Sequence, residues 1–485
     1  MKLTLRKTTL IIVLCIFIAG ALLHGCNTGS VPQKDPSEPE TTLAEDPNRT
    51  EEPEEPEEIQ YSPGKTTRIR VYTTFRELDD IIEKYAEEHW DFDHLVLAYT
   101  DELVYSFLDI VNIAADNLKN KTEPMDLFCV PMAYASQFTK GELSQYVCTY
   151  EELGIDVDAL LDKMDIPRYI VEAGSNRDGK IVALPVLSSA NVFMYRRSVA
   201  REVWGTDDPD TISEIIGGGS QSWDKLLEAA QTLKEHGYYI VPGCSDLSYL
   251  IDTGCTVSEL MDENFRPDPQ WEKFMDVSKQ LYNDGCIKDT KAWSDDWINI
   301  IKGEGDKVFG LFTTTDYCHF LDIFNNENAY GDWAICLPPF QIRTDLYSGI
   351  MVSKHAENKE LIKSLIEWIA LDSSENGLQY RLANGTLFEG YNYPVISRDI
   401  LKETHNSCGI IDDQNMNPII CRSLDILDAL SILSVDSKEA SYDFVFSIFL
   451  DETQAYIRGE KDKETAIADF IEGAREYWKK NPVVW

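Results

Sequence analysis

The chain has 485 residues, and its 84 acidic and 44 basic side chains give a formal net charge of −40. A field of that sign repels phosphate backbones and argues against nucleic-acid binding. Hydrophobic residues make up 43% of the sequence and aromatic residues 11%, which excludes a wholly disordered acidic protein because a sizeable core can form.

Residues 1–25 are typical of a secretory signal peptide. The cationic start MKLTLRK is followed by predominantly apolar residues 8–23. This run of about sixteen residues is shorter than the roughly twenty needed to cross ~30 Å of hydrocarbon. Leu23-His24-Gly25-Cys26 resembles a bacterial lipobox, which implies cleavage before Cys26 and a diacylglyceryl group on its sulfur. An uncleaved signal anchor is the alternative.

Residues 26–65 are predicted to form a disordered, acidic, proline-rich tether. The segment contains EEPEEPEE and prolines at short intervals, so it cannot form a core. Proline stiffness and like-charge repulsion extend such a chain by up to about 3.1 Å per residue, which allows a tether on the order of 100 Å. The folded region therefore begins near residue 66.

Short apolar strands then alternate with helical stretches. The pattern runs RIRVYTTF, ELDDIIEKYAEEH, HLVLAYT, LVYSFLDIVNIAADNL and MDLFCVP. Ile81, Ile82 and Tyr85 recur at helical spacing. This alternation predicts βαβ units and a largely parallel sheet with helices on both sides.

A second alternating region contains YYIVPG, PQWEKFMDVSKQLYNDG, KVFGLFTTT and DWAICLPPF. Before KLLEAAQTLKEHG, Ser222 is expected to cap a helix that Gly237 ends. The C-terminal part is helical, and Phe444, Ile448 and Phe449 are expected in a core. We therefore expect two lobes: one of about 66–185 with part of the later helices, the other of about 195–350 with C-terminal helices. The chain crosses between them near 179–195 and 347–353.

Cysteines give no metal or redox motif, since no C-x-x-C pair occurs after Cys26. Cys129 and Cys336 lie in strand-like apolar runs and are expected to be buried thiols. Disulfides of Cys244 with Cys255, or of Cys408 with Cys421, are hypotheses that export would permit. No cofactor and no metal site is predicted.

Six segments together resemble the extracellular solute-binding lipoproteins of bacterial ABC importers, family 1-like and of the type that captures carbohydrates. They lie in the family's order and span nearly all of residues 66–480. The segments are Pro124–Phe128, Asp178–Pro185, Ser222–Leu226, Asp332–Pro338, Gly349–Lys354 and Tyr456–Lys461. The chain departs from the family at Lys307–Thr314, where threonines replace a glycine-rich ligand anchor and leave the ligand class open.

The resemblance implies an α/β, two-lobed periplasmic-binding-protein-like (type II) fold with a central cleft and hinge. It further implies a monomeric protein of a Gram-positive cell that is anchored in the membrane by lipid and faces outward. Such a protein binds a carbohydrate, an oligosaccharide by preference, and delivers it to the transmembrane subunits of an ABC permease. It is not an enzyme.

A sugar cleft needs aromatic rings for the apolar faces of the pyranoses and polar groups for their hydroxyls. Ligands of open α/β sheets lie beyond the carboxyl ends of strands. Residues just past those ends are therefore the candidate ligand contacts: Thr74, Phe75, Asp101, Tyr134, Ser188, Ser189, Asn191, Tyr249, Trp293, Trp297, Asp316, Tyr317, Tyr347 and Tyr391. For each aromatic residue, packing in the interior is the alternative.

Three other functions remain open. A surface glycosidase would need two carboxylates 5 to 9 Å apart, but no pair stands out among so many, and G-x-S-x-G, H-E-x-x-H and G-x-x-x-x-G-K-[ST] are absent. His89 and His94 fit a helix end and a strand start better than a metal site. A sensory or adhesion lipoprotein of the same fold, and a binding protein for a peptide or another non-sugar solute, are the remaining alternatives.

Overall fold

The structure is a computed structural model of the chain. It describes residues 67–73, 77–90, 95–100, 107–121, 124–188, 190–251, 257–315, 331–341, 348–388, 393–404, 416–430 and 445–480. The predicted signal peptide, Cys26 and the tether lie outside these ranges. The chain divides into two compact units, Met1–Thr67 with Asp93–Val96 and Arg68–Phe92 with Leu97–Trp485, and nearly all described residues belong to the second. Among them, no helix combines the length and the apolar character that crossing a bilayer requires.

Within the described residues, the strands form two separate sheets. In chain order they are β1 (Thr67–Thr73), β2 (Leu95–Thr100), β3 (Leu127–Val130), β4 (Leu184–Pro185), β5 (Asn191–Arg196), β6 (Gly310–Thr314), β7 (Trp333–Cys336) and β8 (Gly349–Val352). These bounds confirm the predicted strands that correspond to β1, β2, β3, β6 and β7. The run YYIVPG forms only isolated bridges, at Tyr239 and Val241.

The first sheet has the strand order β2-β1-β3-β8-β4. β1 and β3 pair in parallel, with Val71 opposite Leu127, as expected for a βαβ unit. β8 pairs antiparallel with both β3 and β4, so that Ile350 lies opposite Cys129 on one side and Leu184 on the other. All four residues of β3 and of β8 are buried, as expected for strands that are covered on both faces.

The expectation of a largely parallel sheet holds for β1 with β3 but is wrong for β8, and the second sheet departs from it further. β5 is its central strand and pairs antiparallel with both β6 and β7, so that Phe193 lies opposite Phe312 and Cys336. Among the described residues of this lobe, the parallel pairs are isolated bridges of Tyr239 with Val308 and of Val241 with Ile287. An apolar run buried on both faces predicts a strand but does not encode its direction, which explains the error.

The helices occupy most of the remaining described chain. They are α1 (Leu78–His89), α2 (Phe107–Asn120), α3 (Ser136–Thr139), α4 (Val157–Leu161), α5 (Arg168–Ala173), α6 (Arg197–Trp204), α7 (Pro209–Ile216), α8 (Asp224–Glu235), α9 (Cys244–Leu247), α10 (Val257–Met261), α11 (Pro269–Asn283), α12 (Asp295–Ile301), α13 (Lys359–Ile366), α14 (Leu378–Ala383), α15 (Arg398–Glu403), α16 (Met416–Leu430), α17 (Phe446–Ile457) and α18 (Lys463–Lys480). Short 3₁₀ turns lie at Met132–Tyr134, Glu142–Tyr146, Glu151–Leu153 and Ser248–Leu250, and a π-helical turn follows α13 at Glu367–Leu371.

Helix boundaries follow the predicted signals with one shift. Trp223, not Ser222, is the N-cap residue of α8, although the Ser222 hydroxyl still accepts the Asp224 N–H at 3.2 Å. Gly237 has a φ of +83° just after the helix, as its expected role at the C-terminus requires. His89 is the last residue of α1, as predicted, and His94 lies outside the described residues.

The later helices divide between the two sheets. The N–H of Tyr169 in α5 donates to Asp428 of α16 at 3.2 Å, which joins α16 to the region beside β4. In contrast, α17 packs on α11, where the ring centroids of Trp271 and Phe449 are 4.7 Å apart. Phe449 is fully buried and Ile448 is partly buried in the same cluster, which confirms their predicted place in a core, whereas Phe444 lies outside the described residues.

The described cysteines are buried or half-buried. Cys129 in β3 and Cys336 in β7 have no exposed surface, which confirms the prediction for both. Cys244 and Cys421 are free thiols, so the structure does not support a disulfide at either. Their suggested partners, Cys255 and Cys408, lie outside the described ranges.

Candidate functional site

The candidate site lies at the end of the second sheet where β5 begins and β6 ends. The chain passes from the first sheet to the second between β4 and β5, and returns between β7 and β8. Asn191, the first residue of β5, lies opposite Thr314, the last residue of β6. Four of the predicted contact residues lie in segments around this point: Asn191, Tyr249, Trp293 and Trp297.

Several of the predicted contacts lie outside the described residues, namely Thr74, Phe75, Asp101, Ser189, Asp316, Tyr317, Tyr347 and Tyr391. Tyr134 ends the 3₁₀ turn that follows β3, at the carboxyl end of that strand, and is half-buried. It belongs to the first lobe.

Ser188 and Asn191 are both buried, with their polar groups engaged. The Ser188 hydroxyl donates to the Val395 carbonyl at 2.9 Å and has no exposed surface, which argues against direct ligand contact in this conformation. The Asn191 side-chain amide donates to the Tyr249 carbonyl at 2.7 Å. Gln341, beyond β7, donates in turn to the Asn191 carbonyl at 3.2 Å. Asn191 therefore joins three segments of the second lobe.

Residues 243–250, here called the 243–250 turn, are held against residues 290–297 at several points. Gly243 passes so close to the Thr290 carbonyl that a Cβ atom there would lie 2.3 Å from its oxygen. The Ser245 hydroxyl accepts the Ala292 N–H at 3.0 Å. Tyr249 is half-buried near the end of the turn. The turn thus brings Tyr249 and the 290–297 segment to the same end of the sheet.

Trp293 and Trp297 form an aromatic pair in that segment. Their ring centroids are 4.9 Å apart and the ring planes are inclined by 37°. Trp297 is only 4% exposed, whereas Trp293 keeps part of its surface exposed. Ser294 caps α12 by accepting the Trp297 N–H at 3.3 Å, which fixes the start of that helix. Trp293 is therefore the member of the pair that can present a ring face to a solute.

Asp246 was not predicted from the sequence, although it follows the same apolar run as Tyr249. Its carboxylate oxygen Oδ1 accepts the indole N–H of Trp297 at 3.0 Å. The residue is 1% exposed, and Oδ2 is buried with no hydrogen-bond partner in the described part of the chain. Burial raises the pKa of Asp246 to about 7, even though the hydrogen bond from Trp297 lowers it.

The group can bind a ligand that has both an apolar face and polar edges. Trp293 and Tyr249 supply aromatic surface, and the amide of Gln341 has a buried oxygen, Oε1, that accepts no hydrogen bond from described residues. In the described ranges, no cluster of three or more His, Cys, Asp or Glu side chains is placed to hold a metal ion.

Residues 111–375 match the sequence profile of bacterial extracellular solute-binding proteins. This match spans more than half of the chain. The chain belongs to the family of bacterial extracellular solute-binding proteins. The matched residues include the 243–250 turn, the Trp293–Trp297 pair and strands β3 to β8. No individual curated protein matches the sequence.

Solved structures share the fold over most of their length at low sequence identity. A solute-binding protein from Alicyclobacillus acidocaldarius has 10% identity and a TM-score of 0.56, covering 86% of this chain and 99% of its own. The galacto-N-biose/lacto-N-biose I-binding protein of Bifidobacterium longum has 13% identity and a TM-score of 0.55, covering 86% and 98%. These likenesses confirm the predicted two-lobed α/β fold of this solute-binding protein.

Proposed function

We propose that this solute-binding protein captures a carbohydrate, preferably an oligosaccharide, between its two lobes and delivers it to an ABC permease. The observation that carries the proposal is the partly exposed ring of the Trp293–Trp297 pair, together with the Gln341 Oε1 atom, which accepts no hydrogen bond from the described residues. A pyranose ring needs this combination, since its face stacks on an indole and its buried hydroxyls must be hydrogen-bonded.

Proteins of the same fold support a sugar as the solute class. The Bifidobacterium longum protein was solved with lacto-N-biose, and a binding protein of an ABC transporter from Bifidobacterium animalis was solved with β-1,6-galactobiose. The GacH receptor of Streptomyces glaucescens was solved with acarbose. The proposed contacts of this chain are Trp293, Tyr249 and Tyr134, together with the predicted residues that lie outside the described ranges.

A sugar panel tests the solute class. Thermal shift with β-1,6-galactobiose, lacto-N-biose, maltose, D-mannitol and acarbose is followed by calorimetry on any compound that raises the melting temperature. We expect a dissociation constant on the order of 1 μM, or about −8 kcal/mol. No heat with any sugar, together with a shift from a peptide or another solute class, would overturn the proposal in favour of that class.

A matched pair of variants tests the location of the binding surface. Trp293→Ala is expected to weaken binding of the selected sugar at least tenfold, because a stacked ring contributes more than about 1.4 kcal/mol. Trp204→Ala is the control, since Trp204 is also half-buried but packs edge-on against Phe309, at the opposite end of β6. Equal loss in both variants, or none in either, would move the site elsewhere.

Attachment to the membrane is a separate part of the proposal. We propose that Cys26 is lipidated after removal of residues 1–25, and that residues 26–65 hold a monomeric binding body away from an outer membrane surface. Two acyl chains give durable attachment, whereas one does not. In a Gram-positive host fed labelled palmitate, the wild type should carry label and Cys26→Ser should not. Retention of unlabelled wild-type protein in the membrane would instead indicate an uncleaved anchor.

Catalysis and signalling are the competing activities. The proposed function includes no catalysis, so each sugar should remain unchanged after incubation with the protein. Cleavage of a defined glycan would contradict this. A neighbouring sensor kinase gene would favour sensing over uptake, whereas genes for two permease subunits would favour uptake.

A further inference from the structure

Two features of the second lobe that are unfavourable for folding share one neighbour, Trp297. Asp246 is a buried carboxyl, and burial disfavours its charged form. Trp293 has a φ of +67°, a left-handed backbone conformation that bulky side chains rarely adopt. Trp297 joins them, since its ring packs against Trp293 at a tilt of 37° and its indole N–H donates to Asp246. Strain and buried charge gather where function requires a fixed geometry.

The contacts of Trp297 define how its ring is held. Its backbone N–H donates to the Ser294 hydroxyl at 3.3 Å, which sets the start of α12. Its indole N–H donates to Oδ1 of Asp246 at 3.0 Å, which sets the rotation of the ring. Because Trp297 is 4% exposed, it offers almost no surface to a solute. Its ring instead forms the support on which Trp293 rests.

We infer that Asp246 is a positioning residue for solute binding: its carboxylate holds the Trp297 indole in the orientation at which Trp293 presents its ring to the solute. The effect of Asp246 on solute binding rests on the proposed function. The orientation of the indole pair can be measured in the protein without solute. Asp246 itself does not touch the solute. The 243–250 turn carries Asp246 to this place because Gly243 lies against Thr290 and Ser245 binds the Ala292 N–H.

The orientation is tested on the solute-free protein by near-ultraviolet circular dichroism, which detects coupling between two indoles about 5 Å apart. Trp293→Phe removes the coupling and gives a reference difference spectrum. Asp246→Leu, which cannot accept the indole hydrogen bond, is expected to reproduce most of that difference. Asp246→Asn keeps an acceptor oxygen and is expected to give the wild-type spectrum. Trp204→Phe controls for the loss of an indole outside the pair.

Binding is then measured with the sugar that gives the largest thermal shift among β-1,6-galactobiose, lacto-N-biose, maltose, D-mannitol and acarbose. Asp246→Leu should weaken binding at least tenfold, whereas Asp246→Asn should remain within threefold of wild type. A wild-type spectrum for Asp246→Leu would overturn the inference, and so would wild-type affinity in a variant whose spectrum has changed. Far-ultraviolet spectra verify that each variant is folded.

Two further arms keep the test decisive. If Asp246→Leu does not fold, Trp297→Phe serves in its place, because it keeps a ring against Trp293 but loses the indole donor, and the same loss of affinity is expected. If no sugar binds the wild type, the proposed function fails. The circular dichroism comparison still decides whether Asp246 orients the pair, so the two failures are distinguishable.

Discussion

Replacing Asp246 by Asn should change how the stability of the protein depends on pH. The carboxyl has an ordinary pKa of 3.8 in the unfolded chain, and burial raises it to about 7 in the folded protein. Between these values the folded state keeps a proton that the unfolded state has released. The free energy of unfolding therefore falls as pH rises from about 4 to about 7, and the loss is complete above that range.

The size of the effect follows from the same two values. A difference of about three pKa units corresponds to ~4 kcal/mol of stability, since each unit is worth about 1.36 kcal/mol. Asn does not titrate and keeps an acceptor for the Trp297 indole. Relative to wild type, the unfolding free energy of Asp246→Asn should therefore rise by ~4 kcal/mol between pH 4 and pH 8. All other carboxyls titrate alike in both proteins and cancel.

Urea unfolding of both proteins at pH 4, 5, 6, 7 and 8, followed by far-ultraviolet circular dichroism, measures this difference. Asp165→Asn is the control of opposite sign. Burial tends to raise the pKa of Asp165, but hydrogen bonds from Lys402 and Arg398 outweigh it, so the pKa is lowered. That variant should lose stability relative to wild type as pH rises. If the Asp246→Asn difference is the same at pH 4 and pH 8, the carboxyl is not held in a desolvated site, and the reasoning is refuted.

Three further outcomes follow from single contacts. Gly243→Ala should lower stability by about 2 kcal/mol in urea unfolding, because its Cβ would lie 2.3 Å from the Thr290 oxygen. Arg398→Ala should cost about 2 kcal/mol, since it removes the cation shared by three aspartates, while Arg422→Ala, at a more exposed pair, should cost less than about 0.5 kcal/mol. Burial raises the pKa of Cys244 to about 12, so mass spectrometry should find it unalkylated by iodoacetamide at pH 8 until urea is added.

The strands were predictable because their composition and their boundaries agree. Leu127–Val130 and Gly349–Val352 are short apolar runs bounded by polar or turn residues, and each is fully buried in the first sheet. Direction was not predictable in the second sheet. Phe193 would be buried next to Phe312 whether β6 ran parallel or antiparallel to β5, so the apolar pattern contains no information that separates the two.

The site was only partly predictable, for reasons that differ between residues. Trp293 and Trp297 were selected as aromatic residues expected beyond the strand ends, and their contact with a solute stays a prediction. Asp246 was missed because, among 84 acidic residues, nothing in the sequence marks the one that is buried. Ser188 was selected because a hydroxyl after a strand looks the same in sequence whether it faces a cleft or the Val395 carbonyl. Burial of a polar group depends on distant segments, which local pattern does not report.

Asn191 links the aromatic pair to the connections between the two sheets. One connection, residues 186–190, leads directly into Asn191 as β5 begins. The other begins after β7, where Gln341 donates to the Asn191 carbonyl at 3.2 Å. The Asn191 side chain in turn holds the Tyr249 carbonyl at 2.7 Å, at the end of the turn that carries Asp246. The polar network around the proposed binding surface is therefore anchored at the two connections between the sheets, and a few residues in such connections are where interdomain motion is absorbed.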